Sequence, residues 1–391
     1  MARYDTVLHW LVLLLAFIGL VEIFSAYTVP RVVYYSVYEP GNIGLIIKSF
    51  KPLFLTILVY SLGFGIYLYL IRGNIEQISK LLTGKNILLL TWFTLLLMIV
   101  AVIEKFIFHL HANRWLIGPK HMVLITGLTI LSAFLFLAYQ FSKENVDPVK
   151  VGFYFSLFEV LLFLQPDTGT LLLLLFALFT LLYFKTDRVC FKRLYVFSTL
   201  ALFFAGLIAV LTSKMSIQLP NIFKGTLLSH VIVRINNWLN PFSDVTAKSY
   251  QIANSLYAVH KGGFSGVGYG FGMRKLYMGP TVHTDFIFAT IGEEMGFIFA
   301  LFLFAATLLL LLRFLNIAYR FKGGFERNFT ILVAIETFAM SLINAGMAVN
   351  LLPSKGWPYP LVSYAPFFVL FYIIQIGIVQ FFVRKRFYEV F

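Results

Sequence analysis

The chain has 391 residues, of which 60% are hydrophobic, 18% aromatic and 12% charged. A soluble globular protein carries about 25% charged residues, so this chain has too little polar surface to stand in water and reads as a membrane protein with many spans. That excludes a soluble enzyme, a disordered chain and a secreted disulfide scaffold, the last also because Cys190 is the single cysteine. An outer-membrane barrel is excluded because its strands alternate polar and apolar residues. The formal charge of +14 is assigned to anionic lipid and cytoplasmic loops, not to nucleic acid.

Apolar runs long enough to cross about 30 Å of hydrocarbon fall at 7–26, 52–71, 86–104, 122–141, 149–164, 169–184, 193–212, 284–313, 328–350 and 363–383. The expected fold is therefore all-α, a single ten-span membrane domain over 1–391. The first run is too long for a cleaved signal peptide and is expected to stay as an anchor. With the N-terminus inside, 17 of the 31 Lys and Arg residues fall in cytoplasmic segments and 7 in short outer ones. The other 7 lie in the long segment 213–283, which crosses largely regardless of its charge. Both termini are thus expected inside. Cys190, between basic flanks, is expected in a reducing cytosolic loop.

The segment 213–283 is the one large outer loop. Phe223, Leu227, Val231, Ile235 and Trp238 or Leu239 recur at helical spacing, with Arg234, Asn236 and Asn237 on other faces, which predicts a helix lying in the outer interface. A second helix is predicted over Ser249–His260, ended by Gly262 and Gly263.

Acids are few on the outer side. Asp285 stands where the large loop enters the eighth run. A carboxylate losing hydration there is expected to rise in pKa toward that of a useful base; the other reading is a first-turn helix charge, which Thr284 and Asp285 also suit. The glycine-rich stretch 262–272 looks like a phosphate loop but lacks the strand and βαβ context such a loop needs. Its backbone is expected to pack closely against a helix or a ligand. Arg274, Lys275, Lys355 and Arg114 can place positive charge around an anionic head group, or contact interfacial lipid. Glu159, Glu293, Glu294 and Glu336 lie within apolar runs; acids there suit either a proton-coupled transporter or hydrogen bonding inside the bundle.

Taken together, the motifs resemble the SEDS family (shape, elongation, division and sporulation). Ala112-Asn113-Arg114-Trp115 is similar to its G-A-x-R-W, and Gln165-Pro166-Asp167-Thr168-Gly169-Thr170 to its Q-P-D-x-G-T. Asn240-Pro241-Phe242 with Tyr250-Gln251 and Ser255 resembles N-P-x…Y-Q-x-x-x-S. Residues 262–296, through His283-Thr284-Asp285-Phe286-Ile287-Phe288 and Gly292-Glu293-Glu294-Met295-Gly296, follow the family signature nearly residue for residue. Asn344-Ala345-Gly346, Leu352-Pro353-Ser354-Lys355-Gly356 and Pro360-Leu361-Val362-Ser363-Tyr364 are similar to its ending. There are departures: 123–129 replaces Q-P-S-E-x-x-K without an acid or a lysine, Ala365-Pro366 replaces Gly-Gly, and Gly279-Pro280-Thr281 replaces L-P-E.

The resemblance implies a peptidoglycan glycosyltransferase that polymerises lipid II into a growing lipid-linked glycan at the outer face of a bacterial cytoplasmic membrane, with inversion. A lipid diphosphate is already a good leaving group, so one base and some cations suffice, whereas a glycosidase needs two carboxylates. Asp285 is the implied general base. Arg114 and Lys355, then Arg274 and Lys275, are the cations offered to the diphosphate; Asp167, His283, Glu294 and Ser363 are expected to position these groups or line the cavity. No dedicated metal cage is present in the sequence, leaving a divalent cation (Mg or Mn) at the diphosphate open. The implied partner is a class B penicillin-binding protein, a transpeptidase, with a slight lean to the division branch. Rival readings are a lipid-linked oligosaccharide flippase and a non-catalytic scaffold of wall synthesis.

Overall fold

The computed structural model describes residues 4–39, 43–108, 115–116, 123–165, 167–185, 229–243, 249–278, 281–354 and 356–390. The expected seventh span at 193–212, Cys190, Arg114 and Lys355 lie outside the described residues. Seven described helices are long and apolar enough to cross a membrane: 6–34, 43–72, 84–107, 168–185, 296–320, 324–348 and 366–389. The expected fourth and fifth spans are shorter helices, Thr126–Ser142 and Pro148–Leu164, of 17 residues each.

In chain order, α1 (Thr6–Ile23) starts at Asp5, whose side chain accepts from the Leu8 N–H at 2.9 Å. It continues through a π-helical turn, Phe24–Thr28, into α2 (Val29–Tyr38). After α3 (Ile43–Ser49), α4 (Lys51–Arg72) and α5 (Ile75–Leu81) comes α6 (Gly84–Ile107). Two residues on each side, 115–116 and 123–124, pair as antiparallel strands before α7 (Thr126–Ser142). Asp147 caps α8 (Pro148–Leu164), which has proline in its first turn, where a missing N–H costs nothing. α9 (Thr168–Lys185) ends the first half.

The large loop contributes α10 (Ser229–Leu239) and α11 (Tyr250–Gly262). Residues 229–239 of the predicted interfacial helix are helical, and 223–228 lie outside the described residues. Trp238 is buried and donates to the Asn350 carbonyl at 3.1 Å, while the Asn350 amide donates back to the Trp238 carbonyl at 3.1 Å. This exchange docks α10 on the end of α14 (Gly324–Ala348).

The predicted single helix over 284–313 is two helices. α12 (Ile287–Glu294) stops at Met295, and α13 (Gly296–Arg320) starts at Gly296 with φ +76°, a conformation that favours glycine. Hydropathy hides the break because residues on both sides are apolar. α15 (Pro366–Val390) closes the chain and packs along α4. At the other end of the bundle the Arg313 guanidinium clasps Asp5, with Nε at 2.9 Å from both carboxylate oxygens and Nη2 at 2.5 Å from one. Gln380 exchanges hydrogen bonds with the Asp5 backbone at 2.8 Å each way. One N-terminal residue thus ties α1, α13 and α15 together.

Candidate active site

Asp285 sits on a tight turn, 281–286, ahead of α12. Its N–H and those of Thr284 and Phe286 all donate to the Thr281 carbonyl, at 2.9, 3.2 and 3.2 Å. The N-cap of α12 is Phe286, with no side-chain cap bond, so the capping role weighed for Asp285 is not the one it fills. Its half-buried carboxylate instead borders two cavities. The larger, of 550 Å³, is walled by His283, Thr284, Met340, Trp357, Tyr364 and Phe368 among others. The smaller, of 160 Å³, is walled by Arg234, Asn237, Gln251, Ile252 and Ser354, with Phe286 and Met347. Asp285, Arg234 and Gly356 line both.

The turn is held from three sides through its backbone. The Asn344 amide donates to the Asp285 carbonyl at 3.0 Å and to the Trp357 carbonyl at 2.7 Å. Ser363 is fully buried; its hydroxyl donates to the Thr284 carbonyl at 2.6 Å and accepts from the Tyr359 N–H at 2.7 Å. The Tyr364 N–H donates to the His283 carbonyl at 2.8 Å. A Cβ placed on Gly356 would lie 3.0 Å from Asp285 Oδ2, tighter than ordinary contact. Such fixing of a base by its neighbours is what proton abstraction at a defined position requires.

His283 lies in the wall beside Asp285, between Tyr27 and Tyr364, with ring centroids 4.6 and 5.2 Å away. Burial, and then the Arg31 charge, push its pKa down to about 4, so its imidazole is neutral near pH 7. It therefore offers the cavity a hydrogen-bonding ring without a cation.

The remaining expected residues divide. Asp167 caps α9, accepting from the Thr170 N–H at 3.3 Å and the Thr170 hydroxyl at 2.8 Å. It is buried behind the larger cavity, whose wall includes Thr170 itself. Ser363 supports the turn from beneath and does not line either cavity, so of its two expected roles the structure shows the positioning one and not the cavity wall. Arg274 donates to Asn254 at 3.3 Å and lies over the Tyr257 ring at 4.9 Å, outside both cavities.

Lys275 and Glu294 are corrected most sharply. They form a buried ion pair at 2.5 Å, with 2% and 0% of their side chains exposed. Ser25 on the π-helical turn donates to Glu294 at 2.6 Å and accepts from Lys275 at 2.8 Å. The Gly270 N–H donates to Glu294 at 2.8 Å, and the Met273 and Arg274 N–H groups donate to Glu293 at 3.0 Å. The glycine stretch also gives its Val267 and Gly268 N–H groups to the carbonyls of Glu293 and Glu294, both at 3.0 Å. A Cβ on Gly266 would be 2.2 Å from the Glu294 carbonyl oxygen. The close packing expected of this loop is real, and a helix end occupies it. These N–H groups are spent on protein acceptors, which leaves the loop no phosphate cradle.

The family model described as "Cell cycle protein", which unites FtsW, RodA and SpoVE, matches residues 5–386. The chain belongs to this family. A Buchnera aphidicola relative named a probable peptidoglycan glycosyltransferase FtsW is 30% identical over 377 residues, covering 92% of this chain and 88% of that one. One of the same name from Haemophilus ducreyi is 32% identical over 57% of this chain and 52% of its own length. Among solved structures, Thermus thermophilus rod shape determining protein RodA superposes with a TM-score of 0.60 at 21% identity, over 98% of both chains. A chain of a peptidoglycan synthase complex, described as coordinating polymerization and crosslinking, gives 0.66 at 20% identity over 98% of both. The fold is that of RodA.

Sequence reasoning missed three residues of this candidate site. Arg234 looked like one of the solvated positions of an amphipathic helix, yet it lines both cavities. Asn344 and Gly356 were visible within motifs, but nothing in their spacing says that one holds the Asp285 backbone and the other makes room for its carboxylate.

Proposed function

We propose that the chain polymerises lipid-linked peptidoglycan precursor, lipid II, at the outer face of a bacterial cytoplasmic membrane, with Asp285 as general base. The chain is a peptidoglycan glycosyltransferase, as its curated relatives are named. The observation that carries the mechanism is a single carboxylate held by its backbone at the junction of two cavities. One cavity presents an acceptor hydroxyl and the other a lipid diphosphate sugar. The hydroxyl oxygen attacks the anomeric carbon as Asp285 takes its proton. The carbon–phosphate-oxygen bond breaks, and its electron pair leaves on the diphosphate. One displacement inverts the anomeric centre. Arg234 borders the reacting junction and stabilises the departing charge, joined by Arg114 and Lys355.

The described residues hold no group of three metal-ligating side chains. A divalent ion would enter with the diphosphate and find Asp285 as its protein carboxylate. Both termini are proposed to be cytoplasmic, a reading supported by the positive-inside bias of the short connecting segments. A class B penicillin-binding protein is the proposed partner, supported by the similar fold found in a peptidoglycan synthase complex described as coordinating polymerization and crosslinking. The flippase reading leaned on intramembrane acids, and two of these, Glu293 and Glu294, are committed to holding the glycine loop.

The test is polymerisation of lipid II by purified protein in detergent, with the transpeptidase present. Wild-type protein should make glycan and Asp285→Asn should not, with unchanged thermal melting. Polymer from the variant at wild-type rate would reject the assignment.

A further inference from the structure

The two cavities at Asp285 differ in chemistry, and the difference assigns them. Both substrates of a lipid-linked polymerisation have a sugar end and a lipid end. The donor reacts at the anomeric carbon bonded to its diphosphate, so its reacting atom lies close to its lipid. The acceptor reacts through a hydroxyl of its distal sugar, the part furthest from its own lipid. A donor cavity therefore needs apolar walls near the base, and an acceptor cavity needs hydrogen-bonding groups that suit an uncharged sugar.

The larger cavity runs from Asp285 past Trp357, Met340 and Phe368. In the smaller one, Asn237 and Gln251 supply side-chain amides and Ser354 a hydroxyl, with Arg234 at the shared edge. Amides and hydroxyls both donate and accept, which matches the hydroxyls and acetamido group of an N-acetylated amino sugar. These groups come from α10, α11 and the 350–356 segment, which the Trp238–Asn350 exchange and the Ser255 hydrogen bond to the Ala348 carbonyl, at 2.7 Å, lock together. The sizes rank the same way, the smaller cavity at 160 Å³ and the larger at 550 Å³, as a terminal sugar ranks below a sugar carrying a diphosphate and the start of a lipid.

We infer that the small cavity bounded by Asn237, Gln251 and Ser354 is the acceptor subsite, taking the terminal N-acetylated amino sugar, and that the larger cavity takes the donor. The inference rests on the glycosyltransferase reading. The free hydroxyl of that sugar points at Asp285, loses its proton there and forms the new bond to the donor's anomeric carbon. The donor loses its diphosphate on the side of the larger cavity.

The test separates the two substrates. One probe is a lipid-linked disaccharide whose distal hydroxyl is capped, so that it acts as donor only. The other carries a neutral ether in place of the diphosphate, so that it acts as acceptor only. The KM of each is measured with the full chain and its transpeptidase in detergent, for wild type, Gln251→Ala and Ser354→Ala. Each variant should raise the acceptor KM roughly three- to tenfold, the loss of one sugar hydrogen bond, and leave the donor KM within about twofold. Gln251 is exposed at the cavity rim, so its truncation leaves the fold intact. Gln251→Glu adds a discriminating readout: an added negative charge would harm a diphosphate site most, so the donor KM should again be nearly constant. A rise in the donor KM with the acceptor KM unmoved, or no change in either, would overturn the assignment. Wild-type protein that joins no probes would overturn the glycosyltransferase reading beneath it.

Discussion

The two ends of α12 carry acids of the same chemical type in opposite circumstances. At its start, Asp285 has its backbone tied down by Asn344 and its neighbours' backbone by Ser363 and Tyr364, while its carboxylate borders two cavities. At its end, Glu293 and Glu294 have their carboxylates tied down, by the N–H groups of Gly270, Met273 and Arg274 and by Lys275 and Ser25. One arrangement fixes the backbone and sets the carboxylate in a cavity wall. The other consumes the group in holding α1, the glycine loop and the α12–α13 break together. A carboxylate within a membrane bundle is thus informative only once its partners are known.

The largest test of that contrast is Asp285→Asn, which keeps the shape and removes the proposed base. Turnover should fall about 10²–10⁴-fold, the range for a positioned general base, with melting in detergent unchanged. Lys275→Met probes the opposite end. It strands a fully buried Glu294 carboxylate and should cost about 3–5 kcal/mol of stability, read as an earlier melt. Adding Glu294→Gln, which removes the stranded charge and keeps an acceptor for Gly270, should recover part of that loss. If Lys275→Met instead lost turnover with an unchanged melt, Lys275 would be the substrate cation that its sequence position suggested.

The sequence shows one end of α12 far better than the other. The place of Asp285 at the cavities is legible because it is an outer-side acid at a span entrance, inside a recognisable signature. Lys275 is legible as a charge, but its partner is 19 positions away across a loop fold that no periodicity encodes. The same reason hides the break at Gly296: the chain stays apolar through it, the helix is interrupted by a φ of +76°, and a Cβ there would lie 2.3 and 2.5 Å from the Gly266 and Phe264 backbone, so only glycine fits. Arg234 was read as one polar position among several because helical spacing gives a face, not the neighbour that the face meets. Only the docking of Trp238 against Asn350 turns that face into a cavity wall. Among the described helices, α6, α8 and α9 follow their apolar runs to within three residues, as hydrocarbon thickness demands, whereas α13 continues to Arg320, well past the end of its run at 313.

A smaller effect separates the cavity wall from the carboxylate it borders. His283 has a folded pKa of about 4, against about 6.5 when exposed. Between these values the unfolded chain takes up a proton that the folded one refuses. Stability is therefore full above about pH 6.5 and falls as the pH drops toward 4, by up to about 3 kcal/mol. Melting temperatures across that window should decline for wild type and decline less for His283→Gln. Equal slopes would show that other groups carry the acid sensitivity.

The mildest substitution gives the finest comparison, because two glycines face the two kinds of acid. Gly356 has a backbone that alanine can adopt, and the atoms nearest its new methyl would be those of the Asp285 carboxylate, 3.0 Å for Oδ2 and 3.5 Å for Cγ. The carboxylate must shift by a few tenths of an ångström, so Gly356→Ala should lower kcat several-fold, since a misplacement of about 1 Å costs about 10²-fold. Its KM and its melt should hold. Gly266→Ala makes the opposite demand. Its φ is +80° and the methyl would sit 2.2 Å from the Glu294 carbonyl oxygen, a backbone atom that cannot step aside. That variant should lose stability, and the fraction that stays folded should turn over normally. If Gly356→Ala melted early and kept its kcat, then the glycine would serve packing, and the fixed direction of the Asp285 carboxylate would not be what sets the rate.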